Sequence, residues 1–276
     1  MQNSRYLSEF NKLLNQNAYK YHTLDVFRDF CRMATISLSS PFYGGQYENE
    51  YMSIIKKYDK KEAALFPQML SILIEALEQC PHDFLGEAFM SNDMGSSYKG
   101  QFFTPQHICD FMTQITISDL KAQLNDKEFV TLSEPACGAG AMVVSVVKEF
   151  IEAGLNHSRQ LYVVAKDIDP ICADMAYIQL SLLGVPATVV LGDTLANTCN
   201  RALATPVHFI ELWEYRLRRN DKSDQKENVA DDQLVPDHTT VLDSGVAKVS
   251  KSQKANLITP SLFDDFYTIK HIDQVS

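Results

Sequence analysis

The fold class read from this sequence is α/β: an open, parallel sheet preceded by a helical amino-terminal part. Three observations predict it. Short apolar strands alternate with amphipathic helices between residues 129 and 191. Each of those strands ends in acidic or glycine-bearing turn residues. Residues 1–98 carry only the three-and-four spacing of helices.

In the helical part, Thr23 is positioned to cap a helix with Leu24, Phe27, Phe30, Cys31, Ala34 and Leu38 on one face. Pro41 and Gly44-Gly45 end it. Asp59 and Glu62 form an acidic capping box. Pro67 is expected to kink or divide the apolar helix that comes next, and Pro81 closes it. Residues 95–105 change character, with two glycines, three aromatics and Thr104-Pro105. Thr104 as cap and Pro105 as first residue start a helix over 106–114. Phe102 and Phe103 lie on a glycine-bearing loop, so the stretch reads as a linker or as a lid over a flat ligand.

The alternation begins with a strand at 129–132, the turn Glu134-Pro135, the loop Gly138-Ala139-Gly140 and a helix over 141–153. A glycine loop between strand and helix lets backbone approach a ligand where a Cβ would clash, and the helix start adds oriented N–H groups. The second strand, 161–165, is nearly all apolar, which suits a sheet covered on both faces. It runs into Asp167-Ile168-Asp169-Pro170, where Asp169 caps and Pro170 opens a helix to about 183. The third strand, 187–191, ends in Gly192-Asp193-Thr194-Leu195. Right-handed crossovers make the strands parallel and put their carboxyl ends on one edge. Glu134, Asp167 and Asp193 then converge with the glycine loop. Each carboxylate alone reads as a cap or a solvated group; together they read as a nucleotide-type site, with Asp167 placed for ribose hydroxyls.

Beyond Leu195 the pattern fades. His208 is isolated and reads as a packed or solvated histidine, and Arg216, Arg218 and Arg219 complement the end of an amphipathic helix. Residues 220–276 read as a largely disordered tail. Its apolar island, 257–263 with Phe266 and Tyr267, is either a docking peptide or an unremarkable part of it. The expected division is therefore a helical domain at 1–98, a ligand-binding domain at 99–219 and a tail at 220–276.

A net charge of −10, from 25 basic and 35 acidic residues, argues against holding nucleic acid by general electrostatics. Six scattered cysteines without a C-x-x-C pair point to a reduced, cytoplasmic protein without a metal site. The amino terminus lacks a signal-peptide pattern, and no stretch approaches the ~20 apolar residues of a membrane span.

These residues resemble the adenine-N6 DNA methyltransferases found as modification subunits of type I restriction systems, especially their short phage and plasmid forms. The likeness runs from about Tyr98 to Leu195. Gly100-Gln101-Phe102-Phe103-Thr104-Pro105 is similar to the first S-adenosylmethionine segment, and Glu134-Pro135-Ala136-Cys137-Gly138-Ala139-Gly140 to the methionine-binding loop. Asp167-Ile168-Asp169-Pro170 resembles the ribose-binding strand end, and Gly192-Asp193-Thr194-Leu195 the adenine contact. The resemblance implies a Rossmann-like S-adenosylmethionine-dependent methyltransferase fold, with S-adenosylmethionine as cofactor and DNA as partner. Phe103, Thr104, Glu134, Pro135, Gly138, Gly140, Asp167, Ile168 and Asp193 become its cofactor residues. Family enzymes also carry Asn-Pro-Pro-Tyr or Asn-Pro-Pro-Phe to hold a flipped adenine. This sequence has no Asn-Pro-Pro, no readable fourth to seventh strand and no target-recognition region. The sheet is thus expected to be incomplete and no catalytic residue is assigned. The resemblance then implies a protein partner supplying target recognition, or alternatively an inactive cofactor-binding module acting as partner or decoy in restriction or anti-restriction.

Overall fold

The computed structural model describes residues 2–94 and 103–220. The expectations about Phe102, residues 95–101 and the tail beyond 220 lie outside the described residues. Met1–Leu217 forms one unit and Arg218–Ser276 a second. The first unit holds the sheet and the helices packed on it.

Among the described residues six helices come first: α1 (Gln2–Asn17), α2 (Thr23–Tyr43), α3 (Glu48–Ile55), α4 (Lys60–Ala63), α5 (Leu65–Gln79) and α6 (Phe84–Ser91). Thr23 is the first residue of α2 and not its cap; His22 occupies that place without a side-chain bond. The helix passes through Pro41 and stops at Gly44, whose φ of 61° is left-handed. Asp59 and Glu62 do form the capping box, on α4. The break comes at Ala64, before Pro67. The proline sits in the first turn of α5, where a missing N–H is no loss.

Helix α7 (Gln106–Gln123) runs a further nine residues beyond the expected end at 114, and its cap position is Pro105, not Thr104. It buries one line of residues, Cys109, Thr113 and Ile117, while Ile108, Phe111, Met112 and Ile115 on its other side are exposed. The α/β part consists of β1 (Val130–Glu134), α8 (Ala141–Glu152), α9 (His157–Gln160), β2 (Leu161–Asp167), α10 (Pro170–Leu182) and β3 (Ala187–Leu191). Then come β4 (Arg201–Ala204) and α11 (Pro206–Ile210), with further helix at 213–220.

The sheet order is β1-β2-β3-β4. The first three strands are parallel. The fourth, which the sequence does not announce, returns antiparallel along β3. The register places Leu132, Val163 and Ala187 side by side, and next to them Glu134, Ala165 and Val189. This apolar face packs on α8 and α10 through Val143, Val147, Phe150, Ala176 and Leu180. Tyr162 and Thr188 belong to the other face, where Tyr162 Oη bonds Thr188 Oγ1 at 2.8 Å and His208 Nδ1 at 3.0 Å. Buried Trp213 lies against Tyr162 there, 5.2 Å between ring centroids. His208 is therefore a packed histidine. Thr131 and Ser133 stay exposed, so the expected two-sided cover does not extend over β1 among the described residues.

Helix α10 carries apolar residues on both sides because it is buried on both sides. Ala173, Ala176, Tyr177 and Leu180 meet the sheet, while Ile171, Cys172, Met175 and Ile178 join the core of the amino-terminal helices. Two polar ties reinforce this seam. Tyr43 Oη accepts from the Ala204 N–H at 2.7 Å, and buried Asp174 meets Arg201 and Arg32. No described helix is long and apolar enough to cross a membrane.

Candidate functional site

The carboxyl edge of the parallel strands opens on a cavity of about 190 Å³. Phe103, Thr104, Glu134, Gly138 and Asp167 line it, with Ala136, Cys137, Ala139, Ala141, Met142 and Cys172. Of the residues marked in the sequence, Pro135, Gly140, Ile168 and Asp193 are not part of this lining.

Asp167 ends β2. Its Oδ2 accepts from Gly138 N–H at 2.9 Å and its Oδ1 from Asp169 N–H at 2.8 Å. A carboxylate offers about four lone-pair sites, so these two bonds leave acceptor capacity toward the cleft. Burial pushes the Asp167 carboxyl up, against the lowering effect of those backbone donors. Asp169 caps α10 through Ile171 and Cys172 N–H. Glu134 ends β1 one strand away and makes a long 3.4 Å contact with Ala136 N–H. The loop between them carries two left-handed residues, Gly138 (φ 53°) and Gly140 (φ 98°). At Gly138 the close neighbour is a side chain: an added Cβ would lie 2.9 Å from Cδ1 of Phe103. That ring also packs edge-on against Phe89, 5.3 Å between centroids. Phe103 thus forms the wall facing the loop.

Asp193 lies in the neighbouring turn. Its Oδ1 accepts from Leu195 and Ala196 N–H at 2.8 and 3.1 Å. Thr194 Oγ1 donates to the Pro135 carbonyl, tying this turn to the β1 end. Ile168 is exposed. Cys137 and Cys172 face the cleft, but burial raises both thiols well above their ordinary range, so neither is an activated nucleophile.

One group has no counterpart among the marked residues. Gln179 of α10 is fully buried. Its Nε2 donates to the Ala139 carbonyl at 2.8 Å and to Asp83 Oδ1 at 2.9 Å, and its Oε1 accepts from Leu85 N–H at 3.1 Å. A glutamine inside the apolar run Ile178–Leu183 was the available signal. Burial also pushes the Asp83 carboxyl up, opposed by Gln179 and Gly86 N–H. A carboxyl raised in the fold takes up a proton on folding. Its contribution is therefore fully present below the ordinary carboxyl range and lost as pH rises through the raised value. Asp83→Asn is expected to stabilise the protein at about pH 7, with the gain shrinking toward about pH 4.5. Urea denaturation at both pH values checks this, and a gain that grows on acidification contradicts it.

With this geometry in view, the chain matches the family model described as N-6 DNA Methylase over residues 83–234, more than half its length. The chain belongs to this family. S-adenosylmethionine is the family's cofactor, and the fold is its Rossmann-like methyltransferase fold with a short sheet behind a helical amino-terminal part. Two solved structures align with this methylase-family chain. One, from Listeria monocytogenes, is described as a class I S-adenosylmethionine-dependent methyltransferase; identity is 16%, covering 70% of this chain and 55% of that one, with a TM-score of 0.42. The other is the type I restriction-modification system methyltransferase subunit from Streptococcus thermophilus; identity is 14%, covering 67% and 56%, with a TM-score of 0.32. The chain thus spans little more than half the length of either. No curated protein matches it.

The residues present fit the cofactor. The cleft offers two carboxylates to a ligand that carries an ammonium, a sulfonium and ribose hydroxyls, and a glycine loop leading into the α8 amino terminus for the ligand's own carboxylate.

Proposed function

We propose that the chain is a DNA adenine-N6 methyltransferase-like protein whose carboxyl-edge cleft holds S-adenosylmethionine. The observation that carries this reading is the meeting of Glu134, Asp167 and the Gly138–Gly140 loop at one edge of parallel strands. Asp167 would take the ribose hydroxyls with its remaining lone pairs. Glu134 would face the cationic end of the ligand. The N–H groups at the start of α8, beside Ala141 and Met142, would take the methionine carboxylate. Phe103 and Thr104 would form the opposite wall, with Pro135, Gly140 and Ile168 shaping the turns behind it and Asp193 holding the adjoining one. The cofactor supplies an already activated methyl group. The protein's task is then alignment with the acceptor amine and exclusion of water, more than acid–base chemistry. A protein partner that reads the target sequence belongs to the same proposal.

Calorimetry should detect S-adenosylmethionine binding by the full chain. Asp167→Ala should weaken it about 10- to 100-fold, the equivalent of one or two hydrogen bonds to a charged group. A folded wild-type protein that binds no S-adenosylmethionine would falsify the reading. Labelled methyl transfer to unmethylated DNA separates the enzyme from the inactive module: binding without transfer, alone and with candidate partners, selects the module.

A further inference from the structure

We propose that Gln179 is a positioning residue for the cofactor loop, and that Asp83, in the segment before α6, holds it in place. The inference rests on the cleft being the S-adenosylmethionine site. Both hydrogens of the Gln179 amide are committed, one to the Ala139 carbonyl and one to Asp83 Oδ1, while its oxygen takes the Leu85 N–H. A flipped amide would set its NH₂ against the Leu85 donor and its oxygen against two acceptors, so the partners fix a single orientation.

Ala139 is the one residue between Gly138 and Gly140, both in left-handed backbone. Glycines on either side give the loop more conformations than any other sequence would. Cys137 N–H bonds the Lys166 carbonyl, Gly140 N–H bonds the Cys137 carbonyl and Gly138 N–H bonds Asp167. Among the described residues, the Ala139 carbonyl is anchored from the opposite side, by Gln179. Releasing it frees the stretch of backbone that lines the cleft, and a ligand must then order that stretch at the expense of affinity.

The same anchor reaches the other wall. Asp83 Oδ1 also accepts from Gly86 N–H, and an added Cβ on Gly86 would collide with Asp83 Oδ2, so the carboxylate sits directly against the first turn of α6. Asp83 N–H donates to Gln106 Oε1 at 3.0 Å. Gln106 lies three residues after Phe103, and its Nε2 bonds Asp110 and Ser145 of α8. The glycine loop and the segment bearing Phe103 and Thr104 are therefore referenced to one buried pair, Asp83 and Gln179.

The test measures S-adenosylmethionine affinity and unliganded thermal stability on the full chain. Gln179→Met keeps the volume but cannot donate, and affinity should fall at least tenfold. Leu73→Ala, in the core of the amino-terminal helices, should lose comparable stability with affinity within twofold of wild type; this separates positioning from general loosening. Asp83→Leu should weaken binding, and Asp83→Asn, which keeps an oxygen for Gln179 and Gly86, should recover most of the loss. The Asp83 pair decides the matter if Gln179→Met does not fold. The proposal is overturned if Gln179→Met binds within twofold of wild type, if Asp83→Leu and Asp83→Asn bind alike, or if Leu73→Ala loses affinity as much as Gln179→Met. Wild-type protein that binds no S-adenosylmethionine overturns the cofactor reading and this proposal together.

Discussion

Gly138→Val is expected to abolish measurable S-adenosylmethionine binding and to destabilise the fold by about 3 kcal/mol. Two effects add. The backbone at Gly138 has φ +53°, where a side chain brings about 1–2 kcal/mol of strain. The new Cβ would also lie 2.9 and 3.1 Å from Cδ1 and Cε1 of Phe103. That ring is backed by Phe89, so relief has to come from the loop. Any shift of the loop breaks the Gly138 N–H bond to Asp167. The variant therefore disturbs the wall, the loop and the Asp167 carboxylate together. Gly154→Ala is the control: φ is +69° but the space is open and remote from the cleft. It should lose about 1 kcal/mol of stability and no affinity. Calorimetry and urea denaturation on both variants decide it; Gly138→Val binding within threefold of wild type would contradict the assignment of this loop.

Asp174→Ala should destabilise the protein by about 3–5 kcal/mol, because it leaves the largely buried Arg201 guanidinium without its carboxylate and removes one of the two carboxylates beside Arg32. Asp174 is 4% exposed. It accepts from Arg201 of β4 at 2.5 Å and lies 3.6 Å from Arg32 of α2. Arg32 is itself forked onto Glu50 at 2.7 and 2.6 Å. Burial pushes the Asp174 carboxyl up, and the two arginines pull it back. One side chain thus joins the amino-terminal helices, α10 and the antiparallel edge strand. Arg201→Ala made together with Asp174→Ala should cost less than the sum of the single changes. A urea-measured loss below about 1 kcal/mol for Asp174→Ala would show the cluster to be solvated in solution.

The parallel strands and their crossover helices were legible because each carries a complete local signal. The apolar run at 161–165, the Asp169-Pro170 start and Gly184 after α10 need no knowledge of the rest of the chain. The meeting of Glu134, the glycine loop and Asp167 follows from topology, since parallel strands share a carboxyl edge. β4 escaped because Arg-Ala-Leu-Ala is four residues long with no alternation, and its pairing depends on β3. The length of α7 escaped because its apolar residues fall on opposite faces, Cys109 and Ile117 inward, Phe111 and Ile115 outward, which blurs a single helical stripe. Phe103 was marked as a possible lid, but its contact with Gly138 was not read, and neither was the glutamine behind Ala139: both are contacts between residues far apart in the chain, which periodicity cannot report.

That separation has a thermodynamic side. Pairing β1 with β2 joins residues 31 positions apart, Val130 with Leu161, whereas the Asp83–Gln179 bond spans 96. Loop closure grows costlier only with the logarithm of length, about 0.6 kcal/mol per doubling. The longer closure is therefore only modestly worse, and the apolar seam between α10 and the amino-terminal helices offsets it. Sequence distance is thus a poor guide to influence on the glycine loop. A substitution near residue 83, well before the first strand, acts on the same few backbone atoms as one at residue 139.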